Sequence, residues 1–227
     1  SIQVIFDPAV RQAGIGYADA VDKHRYYVLI LAGLAGLGYF LQGTVRDSIT
    51  YRQLVIRPTG EEEITLWVGG APTREDLNAL DAFLLELEEK VSDFPGIRRV
   101  RLDTQAAVRV WYVPQYMMKF YLTEYVEGNW GFFQYDLTGQ RITSARVAIA
   151  SDVTEPEDRI HLLKEELVGA LGLPGDHLVY RDSILYDRWT QTQELSEVDW
   201  RMLNLLYSPS LRSGMTEQEA KAVLDSQ

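Results

Sequence analysis

Residues 157–174 read EDRIHLLKEELVGALGLP, and this stretch predicts one amphipathic helix with a defined end. Gly172 suits the position just after a helix C-terminus, and Pro174 prevents any continuation. The apolar residues recur at the spacing of one helix face: Ile160, Leu163, Leu167, Ala170 and Leu171. We therefore expect a helix from about residue 157 to residue 171 that packs this face on a core.

The sequence before this helix predicts several short strands and one longer helix. Thr73 is a good N-cap, with Asp76 three residues on, and Leu77, Leu80, Leu84, Leu87 and Val91 follow at helical spacing. Residues 115–127 are rich in Met, Phe and Tyr and match neither pattern. Runs of alternating or β-branched residues predict strands at 51–57, 63–69, 97–103, 106–113, 130–136 and 141–150.

Two more helices are expected after the quoted stretch. Ser196 has Asp199 three residues later, and Thr216 has Glu219, so each pair predicts a capped helix N-terminus. Together these elements predict an α+β domain over residues 46–227, with a mixed sheet and C-terminal helices.

Residues 26–45 read YYVLILAGLAGLGYFLQGTV and carry no charge. A helix of about 20 apolar residues crosses a bilayer core, so this run predicts a single transmembrane helix. Ala32 and Gly36 form a small-xxx-small pair that lets another membrane helix pack closely. The alternative is a buried helix of a soluble domain, because residues 42–44 are less apolar.

The basic triplet at 23–25 predicts the topology of that span. Positive residues stay on the cytoplasmic side, so residues 1–25 are expected inside the cell and the main domain in the periplasm. The predicted location is therefore the inner membrane, single-pass.

Composition excludes some classes of function. The net charge is -11, and such a surface repels phosphate backbones, so nucleic acid is not an expected partner. The chain has no Cys, which excludes disulfides and thiolate metal sites.

Residues 165–173, EELVGALGL, resemble the active-site helix of matrixin-type metzincins, whose pattern is H-E-x-x-H-x-x-G-x-x-H followed by a Met-turn. In this resemblance the catalytic glutamate falls on Glu166 and the glycine on Gly172. Residues 183–186, SILY, resemble the Met-turn, with Leu185 where methionine belongs. The resemblance implies a metzincin-like (zincin) mixed sheet with an active-site-type helix.

The departures from that pattern concern the zinc ligands. The three histidine positions fall on Glu165, Gly169 and Gly175. A catalytic zinc needs three strong donors and an open position, and glycine offers no side-chain donor. The resemblance therefore implies a degenerate motif that binds no metal or other cofactor, and a pseudoenzyme.

The chain is also similar to a bacterial family, the domain of unknown function numbered 2927. That family reads E-E-L-x-x-x-L-G, then D-S-I/V, then a helix ending in Y-x-P-x-L-R-x-G-M. The matching residues are EEL at 165–167, LG at 171–172, DSI at 182–184 and YSPSLRSGM at 207–215. No activity is implied by this resemblance.

Glu166 has two interpretations. It could be a general base, because glutamate tuned by burial does such work. Alternatively it is a structural acid that accepts hydrogen bonds from backbone or Tyr groups. The aromatic residues between 112 and 133 likewise either line a groove or pack in the core and on an edge strand.

Two functions follow from these observations. The first is a membrane-anchored accessory or scaffolding subunit of a larger membrane protein complex, for example respiratory, photosynthetic or transport. Its partners would be other protein subunits, contacted through the transmembrane helix and the outer domain. The alternative is a hydrolase with a rebuilt non-zinc site that uses Glu166, Asp176 and His177.

Overall fold

A computed structural model describes residues 45–47, 53–55, 57–58, 63–176 and 180–224 of the 227-residue chain. The strands are β1 Val45–Asp47, β2 Gln53–Val55, β3 Arg57–Pro58, β4 Ile64–Gly70, β5 Ile97–Arg99, β6 Val108–Val113, β7 Gly131–Thr138 and β8 Arg141–Ala150. The helices are α1 Arg74–Lys90, α2 Pro156–Ala170, α3 Glu197–Tyr207 and α4 Glu217–Leu224.

The larger sheet is mixed, as the sequence predicted. Five of its strands follow the order β5-β4-β6-β8-β7, and the two-residue strand β3 also pairs with β8. Strands β4, β5, β6 and β8 are parallel, whereas β7 runs antiparallel to β8. Strands β1 and β2 form a separate antiparallel pair.

Helices α1 and α2 cover one face of this sheet, which we call the inner face. Alternate strand residues such as Leu66, Val110 and Val147 point into that face and join one buried core with Phe83 of α1 and Leu167 of α2. The intervening residues point to the opposite side, the outer face. There the segment after β6 forms a smaller core that contains Val113, Met118, Leu122, Ala148 and Ala150.

The predicted helix ends are confirmed. Thr73 and Asp76 form a reciprocal capping box at α1, and Ser196 and Asp199 form another at α3. Helix α2 begins at Pro156, which suits the first helical position because its missing N–H needs no partner there.

One part of the predicted fold class is wrong. No helix among the described residues is long and apolar enough to cross a membrane. Val45, the last residue of the predicted span, lies in strand β1. Residues 26–44, with Ala32 and Gly36, lie outside the described residues.

The predicted single-pass topology and the predicted inner-membrane location are wrong for the same reason. Both depended on a spanning helix at 26–45, and the described part of the chain contains no such helix. The apolar run and its basic flank were the whole basis of that prediction. Apolar runs of this composition occur both in membrane spans and in protein cores, so composition alone does not distinguish the two.

Candidate functional site

Glu166 lies on the side of α2 that packs against the edge strand β7. A Cβ atom at Gly131, the first residue of β7, would lie 2.6 Å from Glu166 Oε1 and 2.9 Å from Leu162 Cδ2. The carboxyl group therefore rests against the strand backbone, in space that exists because Gly131 has no side chain.

The environment of Glu166 disfavours its charged form. Burial, and then the charges of Glu165 and Asp176, raise the pKa of the Glu166 carboxyl well above its usual value. No hydrogen bond of its side chain is seen among the described residues, and its role as an acceptor for backbone or Tyr groups stays a prediction. A raised pKa of this kind is a property that general acids and bases share.

Glu165, which the metzincin pattern would align with its first zinc ligand, contacts a histidine. Its Oε2 lies 3.4 Å from Nε2 of His161, one turn earlier in α2. His161 Nδ1 lies 2.5 Å from the carbonyl oxygen of Thr192, and the imidazole packs on Trp189 with ring centroids 5.2 Å apart. This pair was not predicted from the sequence, although the i, i+4 spacing of His161 and Glu165 could have indicated it.

These contacts change the acidity of the imidazole. Burial alone lowers the pKa of His161, but the hydrogen bond and charge of Glu165, the Thr192 carbonyl and Asp158 together raise it above its ordinary value. The ring is thus favoured in its charged form when Glu165 is ionised.

An aromatic ring packs beside Gly169, which the metzincin pattern would align with its second zinc ligand. A Cβ atom at Gly169 would lie 2.4 Å from Cε1 of Phe133 in β7, so the ring fills the space beside this glycine. Gly172 has φ +121°, as expected for the residue that ends α2. Residues 63–176 and 180–224 contain no cluster of three His, Cys, Asp or Glu side chains that could hold a metal ion.

The remaining predicted site residues are separated. Leu185 belongs to the turn that was compared with a Met-turn, and its side chain is buried in the core on the inner face of the sheet. Asp199 fixes that turn, since it accepts hydrogen bonds from Ser183 Oγ at 2.5 Å and from the Ile184 N–H at 3.0 Å. Asp176 acts on Glu166 through its charge, whereas His177 lies outside the described residues.

The outer face carries a row of aromatic side chains that the sequence did not assign to one surface. The rings of Trp67 and Trp111 are 5.8 Å apart, and those of Trp111 and Tyr121 are 5.2 Å apart. Tyr116 and Phe120 precede Tyr121 in the segment after β6, and they are 68% and 72% exposed. We call these five residues the aromatic patch.

Two arginines lie next to the aromatic patch on the same face. Arg109 of β6 is in register with Trp67 of β4 on one side and with Arg146 of β8 on the other. Arg146 Nη2 pairs with Asp136 Oδ1 at 2.9 Å, while its Nε atom is buried without a hydrogen-bond partner in the described residues. The alternation Val108, Arg109, Val110 is the signal from which this orientation of Arg109 could have been inferred.

Comparison with known proteins yields a family and no curated relative. No curated protein matches the chain. The family described as "Protein of unknown function (DUF2927)" matches residues 61–226, which confirms the family expected from the sequence. This match does not show the resemblance to metzincins. Because the match covers most of its length, the chain belongs to the DUF2927 family.

Proposed function

We propose that this chain is an accessory or scaffolding subunit that binds another protein through the outer face of its sheet. The observation that supports the proposal is the aromatic patch, where Tyr116 and Phe120 expose most of their rings to solvent. Tyr and Phe are enriched at protein interfaces relative to the rest of the surface. Two large aromatic side chains exposed on one short segment favour a binding surface.

The exposed rings stand on a fixed support. They belong to a 3₁₀ segment, Gln115–Phe120, whose Met118 is fully buried in the smaller core. The Gln115 N–H donates a hydrogen bond to Asp152 Oδ1 at 2.8 Å, which ties the start of the segment to the loop after β8. Binding of a partner therefore costs little free energy for ordering the segment that carries these rings.

A hydrolase centred on Glu166 is the second candidate. The raised pKa of Glu166 and the nearby charge of Asp176 favour it. The packing of Gly131 against Glu166 and of Gly169 against Phe133 favours the binding subunit, because it fills the space where a substrate would approach this side of α2.

The double variant Tyr116→Ser with Phe120→Ser tests the proposal. Tagged full-length chain is recovered from its native cells after mild cross-linking, and the recovered partner is quantified by mass spectrometry. We expect the double variant to lose the partner. The control is Leu85→Ser, because Leu85 is 66% exposed but lies on α1, away from the outer face.

Equal recovery of the partner with the double variant and with Leu85→Ser would contradict the proposal. Matching circular dichroism spectra and unfolding midpoints establish that both variants fold. A rate loss in Glu166→Gln for any hydrolytic activity found, with stability preserved, would favour the second candidate instead.

A further inference from the structure

We propose that Arg109 and Arg146, the arginine pair, bind carboxylates of an acidic segment of the partner protein. This inference rests on the proposed function, since it assigns the partner's chemistry at the same outer face. The two residues lie directly side by side on neighbouring parallel strands. Adjacent strands are about 4.8 Å apart, and like charges placed side by side on a sheet repel each other.

The acidic side chains in contact with the arginine pair neutralise only one of its two positive charges. Asp136 of β7 neutralises Arg146, and it also accepts a hydrogen bond from Ser144 Oγ at 2.6 Å. The guanidinium of Arg109 makes no ion pair or hydrogen bond with the described residues, and the buried Nε of Arg146 has no partner among them. Among the described residues one carboxylate thus pairs with one of the two guanidinium groups, and the desolvation of the buried Arg146 Nε is not compensated by a hydrogen bond.

The donors of the arginine pair favour an anion of a particular shape. A guanidinium offers a planar fork of N–H donors that matches a carboxylate, and such charge-assisted bonds are stronger than neutral ones. A carboxylate beside Arg109 would complete the donor set of the arginine pair and relieve its repulsion. Extended nucleic acid fits this site poorly, because the chain as a whole carries a net charge of -11.

The surroundings indicate a peptide segment and not a small anion. Trp67 lies in register with Arg109 and contacts Trp111, so the aromatic patch begins at the arginine pair. Within the patch, Lys119 Nζ lies 5.7 Å from the centre of the exposed Phe120 ring. Basic groups therefore accompany the aromatic rings both at Trp67 and at Phe120, which suits a segment that combines acidic and apolar residues.

A zero-length carbodiimide cross-linker tests the inference on the full-length chain. The substitution Arg109→Lys keeps the charge and introduces an amine that this reagent joins to a carboxylate in direct contact. Cross-linked peptides are then sequenced by mass spectrometry from the native complex. We expect residue 109 joined to an Asp or Glu of another protein. The control Arg201→Lys makes the same exchange at an exposed position of α3.

Other results overturn the inference. A cross-link from residue 109 to an acidic residue of this chain's own N-terminal segment would show that the chain itself supplies the carboxylate. An intact complex without any cross-link at residue 109 would show that no carboxylate lies there.

Charge reversal separates this inference from the proposed function. Arg109→Glu should weaken the complex at least about tenfold at low salt, with less loss at high salt. If the aromatic double variant loses the partner while Arg109→Glu retains it, the outer face binds a partner but the acidic-segment inference fails. If both variants retain the partner, both proposals fail.

Discussion

Arg159 Nε lies 2.9 Å from Asp76 Oδ1, and this buried ion pair joins the first turn of α2 to the first turn of α1. Asp76 also caps α1 by accepting a hydrogen bond from the Thr73 N–H, while Arg159 Nη1 donates to the Thr154 carbonyl at 2.8 Å. The two helices are thereby fixed to each other where they leave the sheet.

Arg159→Ala should lower the free energy of unfolding by about 3–5 kcal/mol, because it leaves the Asp76 carboxylate buried without its partner. Urea unfolding at neutral pH measures the loss. The control is Arg99→Ala, which removes an exposed pair with Asp81 and should cost about 0–1 kcal/mol. Similar losses for the two variants would show that burial of the ion pair does not matter.

Tyr112→Phe should raise the free energy of unfolding by up to about 1 kcal/mol, because the buried Tyr112 hydroxyl has no hydrogen-bond partner in the described residues. Tyr207→Phe is the matched control, since the Tyr207 hydroxyl donates to the Leu171 carbonyl at 3.3 Å. That variant should lose about 1 kcal/mol. A loss of stability in Tyr112→Phe would reveal a partner for the hydroxyl.

Glu166→Gln should stabilise the domain at neutral pH and leave its stability unchanged in acid. A carboxyl whose pKa is raised by folding loses its proton more readily in the unfolded chain, so ionisation favours unfolding as pH rises above the ordinary value of 4.5. Unfolding free energies of both proteins between about pH 4 and pH 8 test this. A constant difference across that range would contradict the raised pKa.

The midpoint of His161 titration should lie above the ordinary 6.5 and fall in Glu165→Gln, which removes the hydrogen bond and the charge that raise the pKa. The imidazolium–Glu165 pair then stabilises the fold fully below pH 6.5, and this contribution disappears as pH rises through the folded pKa. NMR titration measures the midpoint, with His161→Gln to assign the signal. Glu157→Gln, an exchange near the start of the same helix, should leave the midpoint in place.

Purified full-length chain should carry no stoichiometric zinc, because Gly169 and Gly175 stand at two of the three positions where the metzincin pattern has zinc ligands. Elemental analysis after dialysis against zinc-containing and then metal-free buffer measures the content. Retained zinc would require a set of donors that the degenerate motif does not provide.

The sequence predicted those elements whose signals are local. The capping pairs Thr73–Asp76 and Ser196–Asp199 and the apolar stripe of α2 depend on residues three or four positions apart, and the structure confirms all three helices. Residues 115–120 form a 3₁₀ segment, which is too short to show a helical period.

The site depends on contacts between distant residues, which periodicity does not reveal. Asp76 was recognisable as a cap, but its ion pair with Arg159 spans 83 positions. Likewise, the alternation in β6 indicated which way Arg109 points. That Arg146 lies beside Arg109 could not be predicted, because it depends on the position of β8 between β6 and β7.

The central place of β8 has a consequence for synthesis on the ribosome. When the chain has been made only as far as Val113, β4, β5, β6 and α1 are present, but the side of β6 that later pairs with β8 has no strand beside it. Open strand edges recruit strands of other chains, so a nascent or truncated chain that ends before β8 is prone to aggregate. Translation through Ala150 closes that edge, and the following helix α2 then covers the apolar surface that remains.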